Sequence, residues 1–298
     1  MRGPRRFFPR RFRRQAFSAP LSGVFAVAVL AFLSSGATCI PDPDPVPPGS
    51  LCYLNGLDLA CPYQTVAFDI EGEHREVHFE APAGTPPAHG WPTVIMFQGS
   101  FISAQFTWEA SKGTPYGAYC QTQVVEQLLD HGYAVLTPET HLDGAGEWDT
   151  NNLIDTDYYS TNDHAFMLVI LDQIAAGTFG PLDRGRLYAA GISSGGHMTS
   201  RMAISYQGQF RALAIESASY ATCAGWICQI GPIPPDHPPT LFLHGQQDLT
   251  DPISTMEEYA AALTANGITH REVIDPNAGH EWIPPAPTEV LAWFQAYP

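Results

Sequence analysis

Basic residues are scarce along most of this 298-residue chain. Of the 14 Lys and Arg, seven arginines (Arg2, Arg5, Arg6, Arg10, Arg11, Arg13 and Arg14) precede the first acid, Asp42, so seven bases face 30 Asp and Glu thereafter. So acidic a surface repels phosphate backbones and excludes nucleic acid as a partner. Charged residues make up only 15% of the chain and hydrophobic ones 45%, which excludes a disordered chain and allows a substantial core. Long apolar runs are missing too: the stretch Leu21 to Leu33 is about 13 residues, short of the roughly 20 a helix needs to cross a bilayer. No C-x-x-C pair, H-E-x-x-H, EF-hand loop, P-loop or dinucleotide fingerprint occurs, so neither a metal nor an organic cofactor is implied. His74 and His78 stand four apart, but on an expected strand they are not a helical ligand pair.

Residues 1–38 read as an export signal: an arginine-rich start, the apolar stretch, then the small residues Ser34 to Thr38. The pairs Arg5-Arg6 and Arg13-Arg14 permit a twin-arginine route beside the general one. Residues 39–50 form a stiff Pro/Asp-rich linker, and 51–298 carry no composition break or repeat, so one domain fills them. Cys39 stands where a bacterial lipoprotein carries its lipid, yet Gly36-Ala37-Thr38 matches that approach poorly. Simple secretion is favoured, with a lipid anchor at Cys39 as the alternative. The other cysteines suit an oxidising compartment. Cys52 and Cys61 bracket one short loop and Cys223 and Cys228 another, both natural staples, while Cys120 pairs with Cys39 or stays free.

From residue 63 onward strand and helix patterns alternate. Residues 63–70 and 75–80 suggest two antiparallel strands, and Thr93 to Phe97 a strand buried on both faces. A helix over Val124 to His131 closed by Gly132, a strand over Ala134 to Thr137 and a helix over Asp163 to Ala175 follow. Strands at Leu187–Ala190, Ala212–Glu216, Thr240–Leu243 and Arg271–Ile274 alternate with helices from near Gly195, over Ser254–Asn266 and over Thr288–Ala296. That alternation implies an α/β fold with a mostly parallel central sheet covered by helices on both faces, its site at the carboxyl ends of the strands.

At such an end stands Gly191-Ile192-Ser193-Ser194-Gly195, a G-x-S-x-G between strand and helix. The turn is too tight for side chains at its flanks, and it lifts the Ser193 hydroxyl clear of the sheet. Ser194 fails the pattern, because its flanks are Ile192 and Gly196. A serine hydroxyl needs a base, and His280 lies between the last strand and the last helix. The base needs an orienting carboxylate: Asp248 follows the strand TLFL, with Asp251 the rival whose bland role is a helix cap. The order Ser, Asp, His is that of α/β-hydrolases. Two donors must hold the oxyanion, the Ser194 N–H and, from the loop Phe97–Phe101, the Ser100 N–H.

With those residues in place, the chain resembles the extracellular medium-chain-length polyhydroxyalkanoate depolymerases. The resemblance rests on GISSGGHMTSRMA (Gly191 to Ala203), FQGSF (Phe97 to Phe101), HGQQD (His244 to Asp248) and NAGHEW (Asn277 to Trp282), and covers roughly 60–298. It implies hydrolysis of a water-insoluble polyester of 3-hydroxyacids by Ser193, Asp248 and His280, with no obligate protein partner. Gln98 departs from the histidine many relatives carry there. Such depolymerases would adsorb through an apolar patch of the catalytic domain. Phe101, Trp108, Trp148 and Trp226 are the substrate-binding candidates, with Phe106, Tyr158 and Tyr159 also in loops near the strand ends. His197 and Met198, on the helix after the turn, simply pack. The alternatives are an esterase or lipase for another ester (feruloyl, acetylxylan) and a non-catalytic surface lipoprotein on a hydrolase scaffold.

Overall fold

Alternating apolar positions give each strand two faces, and a computed structural model describing residues 49–141, 146–151 and 157–298 stacks those faces into layers. The expected leader, 1–38, and the linker up to residue 48 lie outside the described residues. Strands β1 (Tyr53–Asn55), β2 (Asp58–Ala60), β3 (Gln64–Ile70), β4 (Glu73–Glu80), β5 (Trp91–Phe97) and β6 (Glu109–Ser111) come first. Helices and strands then alternate: α1 (Ala118–Asp130), β7 (Ala134–Pro138), α2 (Asn162–Ala176), β8 (Leu182–Ile192), α3 (Ser194–Ser205) and β9 (Phe210–Glu216). The chain ends with β10 (Thr240–Gly245), α4 (Ile253–Ala265), β11 (His270–Asp275) and α5 (Ala286–Ala296).

The main sheet of the described residues has the order β11-β10-β9-β8-β5-β7-β4-β3. Its strands run parallel from β11 to β7, and β4 and β3 add an antiparallel edge. Both faces of the parallel part are covered, which is why its strands read as unbroken apolar runs. Val94 and Met96 of β5 join one core with Val124 and Leu128 of α1 and Val290 and Phe294 of α5. The alternate residues Ile95 and Phe97 join the opposite core with Phe166 and Ile170 of α2 and Met198 and Met202 of α3. Each fully buried Phe, Ile or Val there contributes about 1.5–3 kcal/mol. Further along, α4 packs Met256, Tyr259 and Leu263 onto Ile215 and Phe242.

The expected strands and helices are all present, with three differences. Helix α1 starts at Ala118, because its first turns, though lacking an apolar period, bury Tyr119, Cys120 and Thr122 against the core. Strand β8 begins at Leu182, where pairing with Trp91 of β5 carries it through a polar stretch. A small sheet, β1-β2-β6, is built from strands too short to carry a periodic signal. Both expected staples are formed, Cys52–Cys61 and Cys223–Cys228, and Cys120 is disulfide-bonded rather than free. Among the described residues, no helix is long and apolar enough to cross a membrane.

One turn fixes the last loop of the sheet. Gly117, at φ +64°, caps α1, and a Cβ there would lie 2.3 Å from the carbonyl oxygen of Trp282. The Trp282 N–H in turn donates to the Tyr116 carbonyl at 3.0 Å. Gly117→Ala is therefore expected to lower stability by about 1–3 kcal/mol in urea unfolding. An unchanged midpoint would mean the two backbones are free to part.

Candidate active site

Between the last residue of β8 and the first of α3, Ser193 occupies the turn alone, at φ 56° and ψ −126°. A side-chain-bearing residue held there costs about 1–3 kcal/mol, so its surroundings must impose it. The Ser193 N–H donates to the Glu216 carbonyl at 3.1 Å, and the His197 N–H to the Ser193 carbonyl at 3.0 Å. Glycine is required on either side. A Cβ at Gly191 would sit 2.4 Å from the Gly195 oxygen, and one at Gly195 would sit 2.2 Å from the Phe97 oxygen.

Asp248 and His280 arrive on loops in backbone contact, since a Cβ at Gly245 would lie 2.2 Å from the Gly279 oxygen. His280 Nδ1 donates to Asp248 Oδ2 at 2.8 Å, while the N–H groups of Thr250 and Asp251 both donate to Oδ1 at 2.9 Å. His244 Nε2 lies 3.4 Å from the same Oδ2. Burial alone would push the Asp248 carboxyl up, but its hydrogen bonds with His244 and His280 outweigh that and hold it well below the usual carboxylate range. Burial alone would pull His280 down, but the bond to Asp248 and the carboxylate's charge raise it above its ordinary value.

The rival acid is placed elsewhere. Asp251 does not cap α4, whose N-cap is Pro252 without a side-chain bond. Its Oδ1 accepts the Gly225 N–H at 3.0 Å and lies 3.3 Å from His197 Nε2. His197 is packed, as expected, and it also donates Nδ1–H to the Tyr220 carbonyl at 3.0 Å.

The carboxyl end of β9 joins these parts. Beside Glu216, which holds the Ser193 N–H, Ser217 Oγ donates to the Glu281 carbonyl at 3.2 Å. The Ile283 N–H reaches Glu216 Oε2 at 3.4 Å. Turn and His280 loop thus hang on two adjacent residues. Glu216 is wholly buried, and burial first, then the charges of Asp248 and Glu281, push its carboxyl well up. Nothing in the run ALAIE marks this acid as part of the site.

The loop after β5 lies against the turn, because a Cβ at Gly99 would be 3.5 Å from Ser193 Cβ. Phe101, at φ 62°, gives its N–H to the Gly146 carbonyl at 3.0 Å, leaving Ser100 as the candidate donor of that loop. Ser194 heads α3, where first-turn N–H groups have no acceptor within the helix.

The substrate-binding candidates divide by burial. Phe101 and Trp226 are 71% and 72% exposed, whereas Trp108 and Trp148 are wholly buried and present no surface to a polymer. The expectation fails for those two because each indole N–H is satisfied inside, Trp108 by Thr137 Oγ1 at 2.7 Å and Trp148 by the Gln98 carbonyl at 3.0 Å. Phe106 and Tyr159 are exposed, and Tyr158 is buried. Two exposed residues escaped sequence reasoning: Leu249, beside Asp248, and Tyr116, whose ring stands edge-on to His280 with centroids 6.3 Å apart.

A second charged cluster lies behind the loop. Ligand atoms of His141, Asp149 and Asp163 fall within 4.8 Å of one another, a spacing a metal could use. Here both imidazole nitrogens already face carboxylates, Nδ1 on Glu73 at 2.8 Å and Nε2 on Asp149 at 3.1 Å and Asp163 at 3.3 Å. Arg75 Nη2 also donates to Asp163 Oδ1 at 2.7 Å. Two cations of the protein therefore fill the place of an ion. The hydrogen bond to Asp149, then that to Asp163, outweigh burial and push His141 up to about 10.

A family model described as the alpha/beta hydrolase fold matches residues 156–284. Over 251 residues the chain is 44% identical to a poly(3-hydroxyoctanoate) depolymerase of Pseudomonas fluorescens, covering 82% of this chain and 88% of that one. The chain belongs to the medium-chain-length polyhydroxyalkanoate depolymerase family. Solved structures share the fold at low identity. A fluorophosphonate-binding serine hydrolase of Staphylococcus aureus superposes with a TM-score of 0.56 at 14% identity, covering 78% of this chain and 98% of that one. An acetyl xylan esterase from Paenibacillus sp. R4 gives 0.57 at 15%, covering 83% and 86%. The α/β-hydrolase architecture expected from the sequence is thus the one this depolymerase-family chain adopts.

For His141, the folded value of about 10 exceeds the unfolded value of roughly 6.5. Its contribution to stability is complete below the lower value and is lost as pH rises through the upper one. His141→Gln should flatten the fall of Tm with pH across that window; parallel curves for parent and variant would contradict the assignment.

Proposed function

We propose that the protein hydrolyses the ester bonds of a water-insoluble polyester of medium-chain-length 3-hydroxyacids through an acyl-enzyme on Ser193. The reading is carried by the 2.8 Å bond from His280 Nδ1 to a buried, ionised Asp248, beside the strained turn of Ser193. That bond uses the Nδ1 proton and leaves Nε2 as the base. As Ser193 Oγ attacks the ester carbonyl carbon, its proton passes to His280 Nε2. The Ser194 and Ser100 N–H groups hold the oxyanion. The tetrahedral centre collapses, the C–O bond to the leaving hydroxyacid breaks, and His280 returns the proton to that oxygen. Water, deprotonated by the same nitrogen, then attacks the acyl carbon, and Ser193 leaves with its proton restored.

Adsorption uses exposed apolar side chains around this centre: Phe101 after the oxyanion loop, Tyr116 beside His280, Leu249 beside Asp248, and Trp226 on the Cys223–Cys228 loop. The protein acts after export, a reading supported by its disulfides. Residues 1–38 are the export signal on this reading, and simple secretion is preferred to a lipid on Cys39.

Ser193→Ala should lower kcat about 10⁴-fold or more and abolish clearing of polyhydroxyoctanoate films while thermal unfolding is unchanged. Near-parental turnover would overturn the nucleophile. Because the base must be neutral, activity should fall with falling pH through a midpoint above roughly 6.5, the ordinary histidine value. Asp248→Asn should move that midpoint down, since it removes the group that raises His280, and cut kcat about 10⁴-fold. A flat profile from pH 5 to 9 would exclude a histidine base. Trp226→Ser should slow film clearing roughly tenfold, about 1.4 kcal/mol of adsorption, with p-nitrophenyl octanoate turnover within twofold of the parent. Equal losses on film and soluble ester would point to a soluble-substrate esterase.

A further inference from the structure

Residues 146–151, between β7 and α2, lie against the turn of Ser193 and the loop after β5, and the one of them expected to bind substrate, Trp148, is turned inward. Their central residue is Trp148, wholly buried and edge-on to Phe97 with ring centroids 5.1 Å apart. Its indole N–H donates to the Gln98 carbonyl at 3.0 Å, and its backbone N–H to Ser194 Oγ at 2.9 Å. Gln98 directly precedes Gly99 and Ser100, and Ser194 follows Ser193. One residue thus grips both stretches of chain that would supply oxyanion donors. Because the peptide unit is planar, holding the Gln98 carbonyl also sets the direction of the Gly99 N–H and the entry into Ser100.

The segment is itself clamped at several points. Gly146 accepts the Phe101 N–H at 3.0 Å. The Asp149 N–H donates to Asp163 Oδ2 at 2.7 Å, and Asp149 Oδ2 takes His141 Nε2 at 3.1 Å. Arg201 Nε donates to Thr150 Oγ1 at 2.7 Å, and Thr150 Oγ1 donates to the Ala221 carbonyl at 3.3 Å. A tryptophan anchored this way is an anvil against which the loop and α3 keep one spacing. Phenylalanine would fill much of the space and lack the donor.

We propose that Trp148 is a positioning residue of the oxyanion hole, fixing the Gln98–Ser100 stretch through its indole N–H and Ser194 through its backbone N–H. The inference rests on the reading of Ser193 as nucleophile with Ser100 and Ser194 as oxyanion donors. Preorganised donors lose effect steeply when displaced, so a small shift is read mainly in kcat.

The test is Trp148→Phe in the full chain, assayed with p-nitrophenyl octanoate and with a trifluoromethyl ketone that mimics the tetrahedral adduct. The expected result is a roughly 10- to 100-fold fall in kcat, KM within threefold, and ketone affinity falling in step with kcat/KM. Fluorophosphonate labelling should still reach one site per chain, Ser193. A kcat within twofold of the parent, or a fall in kcat with ketone affinity intact, overturns the proposal. Should Trp148→Phe fail to fold by circular dichroism, replacing Trp148 with benzothienylalanine keeps the volume and removes only the N–H, and the same readouts decide. Absence of labelling at Ser193 in the parent would instead overturn the underlying nucleophile.

Discussion

A serine at φ 56° and ψ −126° relaxes unless everything around it forbids relaxation. The catalytic end of this protein is organised by that prohibition. Below the turn, Gly191 and Gly195 let the start of α3 press onto the Phe97 and Gln98 carbonyls, so neither β5 nor the helix has room to shift. On one flank β9 supplies the Glu216 carbonyl that takes the Ser193 N–H. On the other, Gly99 brings the next loop within van der Waals reach of Ser193 Cβ. Strain that rigid surroundings sustain is also positional accuracy, because the Ser193 backbone is held in one conformation.

Charge around the turn follows a different logic. Asp248, Asp251, Glu216 and Glu281 crowd a region whose side-chain partners are histidines. Burial works against the charged form of all four, and their hydrogen-bond partners sort them. Asp248 and Asp251 have imidazole partners and backbone donors and are held ionised. Glu216 has one weak backbone donor and an oxygen with no partner among the described residues, and its carboxyl is pushed well up. Glu281 is pushed up as well, by burial first. The result is that the carboxylate bonded to His280 Nδ1 is the one held furthest below its ordinary value by imidazole partners and backbone donors.

The sequence made the architecture legible wherever a local period carried the information. Strand β5 shows apolar residues at every position because both faces are covered, and Gly132 ends α1 in the left-handed conformation its identity suggests. The candidate triad was legible because each member follows a strand end, where a parallel sheet collects its loops. Long-range closure was not. Arg75 pairs with Asp163 at 2.7 Å across 88 residues, with no local pattern to announce it. Nor does a tryptophan's identity say whether a loop will fold over it: Trp108 and Trp148 turned inward because Thr137 and Gln98 offered oxygens, while Trp226 stayed out.

That division of the tryptophans bears on a solid substrate. A polymer surface cannot fold around a protein, so the protein must meet it with side chains already in place, and any loop ordered on contact subtracts from adsorption. Trp226 sits on a loop closed five residues apart by Cys223–Cys228, and the neighbouring Gly225 N–H is tied to Asp251 at 3.0 Å. Asp251 donates its own N–H to Asp248 Oδ1 at 2.9 Å. The backbone beside the most exposed indole is therefore tied through two hydrogen bonds to the carboxylate that orients His280. The ordering entropy of that backbone is lost during folding, so the loop carrying a tryptophan 72% open to solvent needs little further ordering to meet a polymer face.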